Sequence, residues 1–154
     1  MSKINAMILS AVMFMAGHGY SLAAVTVSEA WARAGKPNSA GFMKLANTSS
    51  TDVRIVAAQT ASAQKTELHD HLQEGDVFRM RKVDQLVIPA GGEIELMPGG
   101  KHVMFFDMAA DMQEGKVMEL DLVLDSGEKI HCQLPIKSMT HNPKLADSGC
   151  NCKK

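Results

Sequence analysis

Two runs near the C-terminus leave this chain little choice of secondary structure. In residues 117–124 the apolar Met118, Leu120, Leu122 and Leu124 take every second position, opposite Glu119, Asp121 and Asp125. In residues 129–136 Ile130, Cys132, Leu134 and Ile136 do the same. A period of two gathers each set on one face of a strand and cannot make a helical stripe. Asp125-Ser126-Gly127 lies between them as a turn signal. The same texture runs back through the chain, with strand character at 25–33, 41–45, 53–58, 66–73, 77–83, 85–88, 93–97 and 102–107. The clearest breaks are Gly35-Lys36-Pro37-Asn38-Ser39, Asn47-Thr48-Ser49-Ser50, Gly91-Gly92 and Pro98-Gly99-Gly100. No internal repeat and no helical stripe of useful length appears. About ten short strands at this spacing predict an all-β fold, an antiparallel β-sandwich.

The N-terminus is of another kind. Lys3 gives a basic start, residues 4–19 are almost wholly apolar, and Ser21-Leu22-Ala23 supplies small residues at a cleavage point. Residues 1–23 therefore read as a secretory signal peptide, cleaved near Ala24. The apolar run is short for a membrane span, and no cysteine follows it to carry a lipid, so the mature form is expected to have no membrane anchor. Residues 24–138 suit one domain with a real core, and 139–154 form a polar, turn-rich tail expected to be mobile. Loss of Lys3 takes the formal charge from −1 to −2. With no basic stripe and little aromatic content, nothing points to nucleic acid.

Four soft or borderline metal donors stand within 36 residues: His69, Met80, His102 and Met104, spaced His-x10-Met-x21-His-x-Met. Imidazole suits copper, and thioether selects Cu(I) over zinc, calcium or magnesium. His102 and Met104, two apart on a strand, project from one face. His69 and Met80 flank the turn Glu74-Gly75-Asp76, and a hairpin there is expected to bring His69 close to Met80. Taken singly, methionines mostly fill cores and a strand histidine is an ordinary polar group. As a set, with 6 His and 12 Met available, the pattern should arise by chance about once in a thousand such chains.

The chain resembles the periplasmic copper chaperones of the PCu(A)C family, whose ligand pattern is matched at all four positions. The flanking text agrees: Glu67-Leu68-His69, Met80-Arg81, Val87-Ile88-Pro89-Ala90-Gly91-Gly92 and Pro98-Gly99-Gly100-Lys101-His102-Val103-Met104, with Ala30-Trp31-Ala32-Arg33 and Pro37-Asn38-Ser39-Ala40 upstream. One departure is His71, where the family often carries methionine, which makes His71 an additional candidate donor. The resemblance implies a cupredoxin-like β-sandwich, a periplasmic Cu(I) carrier rather than an enzyme, and delivery toward cytochrome c oxidase assembly. It also implies an oxidase subunit as acceptor and a thioredoxin-like copper protein as co-worker.

The remaining candidates are weaker. Cys132 falls on the apolar face of its strand and is expected to be a buried, inert thiol, with His131 pointing outward. Cys150 and Cys152 form a Cys-x-Cys pair beside two lysines, which favour thiolates and could hold Cu(I); the other readings are an oxidised pair or an end without function. Glu67 and Asp70 are expected to be solvated strand residues or partners that orient imidazole. A blue-copper centre needs Cys, two His and a weak axial Met; only Met139 and His141 follow Cys132 before the tail cysteines, in the reverse order. Phosphate-loop, Gly-x-Ser-x-Gly and His-Glu-x-x-His motifs are missing. Two further classes stay open from the residues themselves: a copper-dependent redox enzyme, and a metal-free secreted β-sandwich that acts as an interaction module.

Overall fold

A computed structural model describes residues 24–109, 111–138 and 140–141. It contains ten strands and, among the described residues, no helix. They are β1 (Val25–Arg33), β2 (Ser39–Asn47), β3 (Val53–Gln59), β4 (Ala63–Glu74), β5 (Val77–Lys82), β6 (Leu86–Ile88), β7 (Glu93–Leu96), β8 (His102–Met108), β9 (Val117–Leu124) and β10 (Lys129–Lys137). Each predicted run is a strand, with ends shifted by a few residues at most. β4 gains most, because pairing to β8 begins at Ala63, ahead of any apolar alternation.

The strands follow the order β5-β4-β8-β2-β1-β10-β9-β3-β6, with β7 added on β2. One layer holds β5, β4, β8, β2, β7 and β1; the other holds β10, β9, β3 and β6. The pairing is antiparallel except between β1 and β10, which meet in parallel at Ala32↔Ile136 and Arg33↔Lys137 and join the layers. Two strands that enter from far apart in the chain can be parallel without a hairpin, and sequence alternation carries no sign of it.

The core is the apolar alternation realised. Leu68 of β4, Val103 and Phe105 of β8, and Met43 and Leu45 of β2 face Leu120, Leu122 and Leu124 of β9 and Leu134 of β10 between the layers. Cys132 is buried there as expected, its thiol pushed up to about 11 by burial. His131 faces water and holds Asp121 at 2.8 Å. This interior holds most of the buried apolar side chains, each contributing about 1.5–3 kcal/mol at full burial.

The opposite face of the β4–β8–β2 layer is set by one irregularity. The β1–β2 register slips by one residue between Ser28 and Trp31, with Glu29 at φ 50°. An extra residue turns the following side chains over. Val25 and Ala32 therefore both point into the core, while Trp31 is moved to the outside, against Phe42 with ring centroids 4.6 Å apart. Trp31, Ala40 and Phe42 form a second small apolar cluster there, and Met104 packs on it.

Candidate metal site

The β4–β5 hairpin turns through Gly75-Asp76, since Glu74 pairs with Val77. Gly75 takes φ 64°, open to glycine at no steric cost and suited to a two-residue hairpin loop. This loop fixes the register, and the register corrects one expectation. Met80 lies opposite His71, whereas His69 lies opposite Lys82. The turn uses one residue fewer than Glu74-Gly75-Asp76, which shifts every cross-strand pair. On its other side β4 pairs with β8, where His69 meets His102 and Glu67 meets Met104. Directly paired residues share a face, so Glu67, His69, His71, Met80, His102 and Met104 all stand on one side of the layer.

That side is the outer one. The neighbours Leu68 and Val103 point inward to the core, which sends His69, His102 and Met104 the other way. The candidate donors thus lie on the outer face of the sheet. His71, Met80, His102 and Met104 line one open cavity of about 290 Å³, together with Phe42 and Arg33. His69 does not line it. Its ring stands behind that of His102, 5.5 Å away. Burial falls off across the set: His102 and His69 are buried, His71 and Met104 half-buried, and Met80 is 49% exposed on the outermost strand.

Hydrogen bonds decide which ring nitrogens keep a free lone pair. His69 Nε2–H donates to Glu67 Oε2 at 2.8 Å, so its lone pair is on Nδ1. That Nδ1 is buried and has no hydrogen-bond partner. A buried acceptor left in this way costs free energy unless something binds it. Glu67 is held down to about 2, first by the Lys65 ammonium at 2.7 Å and then by His69, so it stays an anionic acceptor. Its anticipated role in orienting an imidazole is what the hydrogen bond displays; Asp70 instead pairs with Lys101 at 2.9 Å.

His71 and His102 are oriented by a single atom. Nδ1–H of each donates to the carbonyl oxygen of Gly100, at 3.0 and 2.9 Å, leaving both Nε2 lone pairs free. The carbonyl is placed by a turn in which Gly100 N–H donates to Met97 O at 3.0 Å, with Pro98 and Gly99 between and Gly99 at φ 83°. Proline then a positive-φ glycine is the signature of a type II turn. Burial holds the His102 imidazole below the usual histidine range, in its neutral form. Among the described residues no three His, Cys, Asp or Glu side chains close into a metal cage as they stand. The thioethers of Met80 and Met104 complete the donor lining of the cavity beside His71 and His102.

Sequence reasoning missed Trp31, Phe42 and the Gly100 carbonyl as parts of the site. Trp31 shares odd numbering with Val25 and Val27, so simple alternation would bury it, and only the slip at Glu29 brings it out. The proposed donors Cys150 and Cys152, the expected leader at residues 1–23 and most of the expected tail lie outside the described residues. His141, in the expected tail, sets its ring edge-on to Trp31 at 4.9 Å.

The fold is that of solved copper-protein domains. The copper-bound PCuAC domain from PmoF2 superposes with a TM-score of 0.66, 18% identity, and coverage of 77% of this chain and 97% of that one. The solution structure of CuI-DR1885 from Deinococcus radiodurans matches with a TM-score of 0.60, 26% identity, and coverage of 79% and 85%. Among curated sequences, "Putative lipoprotein Lxx21020" of Leifsonia xyli subsp. xyli is 29% identical over 118 residues, 75% of this chain and 71% of that protein. Residues 25–136, nearly all of the ten-stranded sandwich, match the family model described as "Putative lipoprotein LpqE-like", and the chain belongs to this LpqE-like family, built on the PCuAC fold.

Proposed function

We propose that this protein is an exported copper carrier, not an enzyme, that binds Cu(I) through His69, Met80, His102 and Met104 and passes it to a cuproprotein. The observation that carries this reading is the shared outer face of β5, β4 and β8, where two thioethers and oriented imidazole lone pairs stand together. Thioether sulfur is a soft donor suited to Cu(I), and the buried Nδ1 of His69 is an acceptor in want of a partner. All four ligands are neutral, so a bound Cu(I) keeps its charge and is held less tightly than in a thiolate cage. A carrier needs that balance, because release proceeds by exchange of one ligand at a time. The name of the solved relative at 26% identity includes Cu(I), which supports the same cargo.

Export and a periplasmic destination rest on the leader-like residues 1–23 and on the lipoprotein names of the family and a relative. Delivery toward cytochrome c oxidase, with a thioredoxin-like copper protein as co-worker, is the destination that the resemblance to the PCu(A)C family implies. X-ray absorption on the Cu(I)-loaded protein is the direct test. Two sulfur and two nitrogen neighbours are expected; an all-nitrogen shell would overturn the reading. Copper transfer to a purified copper-binding domain of an oxidase subunit, followed by absorbance of the acceptor, tests delivery separately.

A further inference from the structure

We infer that the cavity beside the copper donors also takes a carboxylate, held by the guanidinium of Arg33. This rests on the carrier reading for the metal and adds to it an anionic ligand and one further residue. Arg33 is the last residue of β1, two on from Trp31, and a period of two sets both on the outer face. It lines the same open cavity as His71, Met80, His102 and Met104, and among the described residues no Asp or Glu does so. The other three arginines each meet a carboxylate: Arg54 at Asp125, 3.6 Å away, and Arg79 and Arg81 at Glu74, 3.4 and 2.7 Å away. Arg33 lies instead over the Phe42 ring, its guanidinium carbon 5.4 Å from the centroid. Its Nε is buried and has no hydrogen-bond partner among the described residues.

A half-buried guanidinium gives up hydration that an aromatic face returns only in part. The Phe42 ring holds the planar group in place, and its fork of N–H donors matches the two oxygens of a carboxylate. The cavity, about 290 Å³ and open, has room for an acid group on a short stem. Cu(I) on neutral ligands keeps its single positive charge, so metal and Arg33 bring two positive charges to one cavity. A carboxylate offsets both, and by linkage anion and metal tighten each other's binding by the same factor. The acid comes from a free small molecule or from the acidic side chain of a protein that exchanges copper with this face.

The test follows the backbone amide signals of Ser39, Ala40 and Gly99, which line the cavity, by nuclear magnetic resonance of the full, metal-free chain at constant ionic strength. Acetate, a capped glycine-glutamate-glycine peptide and perchlorate are titrated. Arg33→Lys keeps the charge without the fork, and Arg33→Met keeps a stem on Phe42 without the charge; thermal melts check folding. Wild type should show saturable shifts with acetate in the low millimolar range and none with perchlorate, a poor hydrogen-bond acceptor. Arg33→Lys should weaken binding about fivefold or more, and Arg33→Met should abolish it. Peptide binding as tight as that of acetate assigns the acid to a partner's side chain, and acetate binding with the peptide excluded assigns it to a free small acid. With Cu(I) bound, carboxylate affinity should rise about fivefold or more; unchanged affinity would overturn the shared cavity. No saturable shift in wild type with either acid, or equal affinity in Arg33→Met, would overturn the inference while leaving the Cu(I) reading intact. Loss of Cu(I) binding by wild type with the carboxylate still held would overturn the carrier reading instead.

Discussion

At Met80 and Met104 the chemistry of a side chain can be separated from its bulk by one atom. Met→Leu keeps the apolar volume and removes the sulfur, so each variant should fold, at a cost below about 1.5 kcal/mol. Cu(I) affinity, measured by chelator competition, should still fall by roughly tenfold or more. Met118→Leu is the comparison, because Met118 lies in the core on β9 and away from the outer face. Equal Cu(I) affinity in all three would exclude thioether ligation. A second expectation concerns His131, whose imidazole is raised above its ordinary value, first by its hydrogen bond to Asp121. A raised folded-state value means the charged pair adds stability below the unfolded value of about 6.5 and loses it as pH climbs through the folded value. Melts of wild type and His131→Gln should therefore differ most near pH 5.5 and converge toward pH 8. A constant difference across that range would rule the ion pair out as the cause.

At the scale of elements, the turn before β8 matters more than its length suggests. The Gly100 carbonyl orients two imidazoles only while the Pro98-Gly99 corner holds its shape. Gly99 sits at φ 83° with open space around it, so Gly99→Ala meets no clash and pays only for the backbone conformation, about 1–2 kcal/mol. The expected outcome is a modest fall in melting temperature together with a clear loss of copper affinity. A loss of stability with copper binding untouched would mean that the carbonyl does not position the rings. These elements also mark how far the sequence could be read. Alternation and turn residues located every strand, and β9 and β10 could be assigned face by face. The shared side of His102 and Met104 was legible because it follows from a spacing of two. The pairing of Met80 was not, since a one-residue difference in loop length moves every partner along β4. Nor was the outward Trp31, because a bulge leaves no mark in a strand that still reads as alternating.

For the molecule as a whole, the two faces of the β4–β8–β2 layer do separate jobs. The inner face is closed against β9 and β10, and Cys132 reports on that closure. Its thiol should stay unalkylated in the native protein and react after denaturation, as followed by peptide-resolved mass spectrometry. It should behave the same in Met80→Leu and Met104→Leu, because neither touches the core; native reactivity at Cys132 would argue for opening of the β9–β10 hairpin. The outer placement of the donors has a further consequence for descent. Substitutions at the exposed Met80 and the half-buried His71 bear least on folding, since both lie across the sheet from the packed interior. The sandwich can persist while single side chains on this face change, because the interior that holds it lies on the other side of the sheet. Cargo in such proteins can therefore drift faster than architecture, and kinship in shape has to be checked donor by donor before a shared metal is inherited with it.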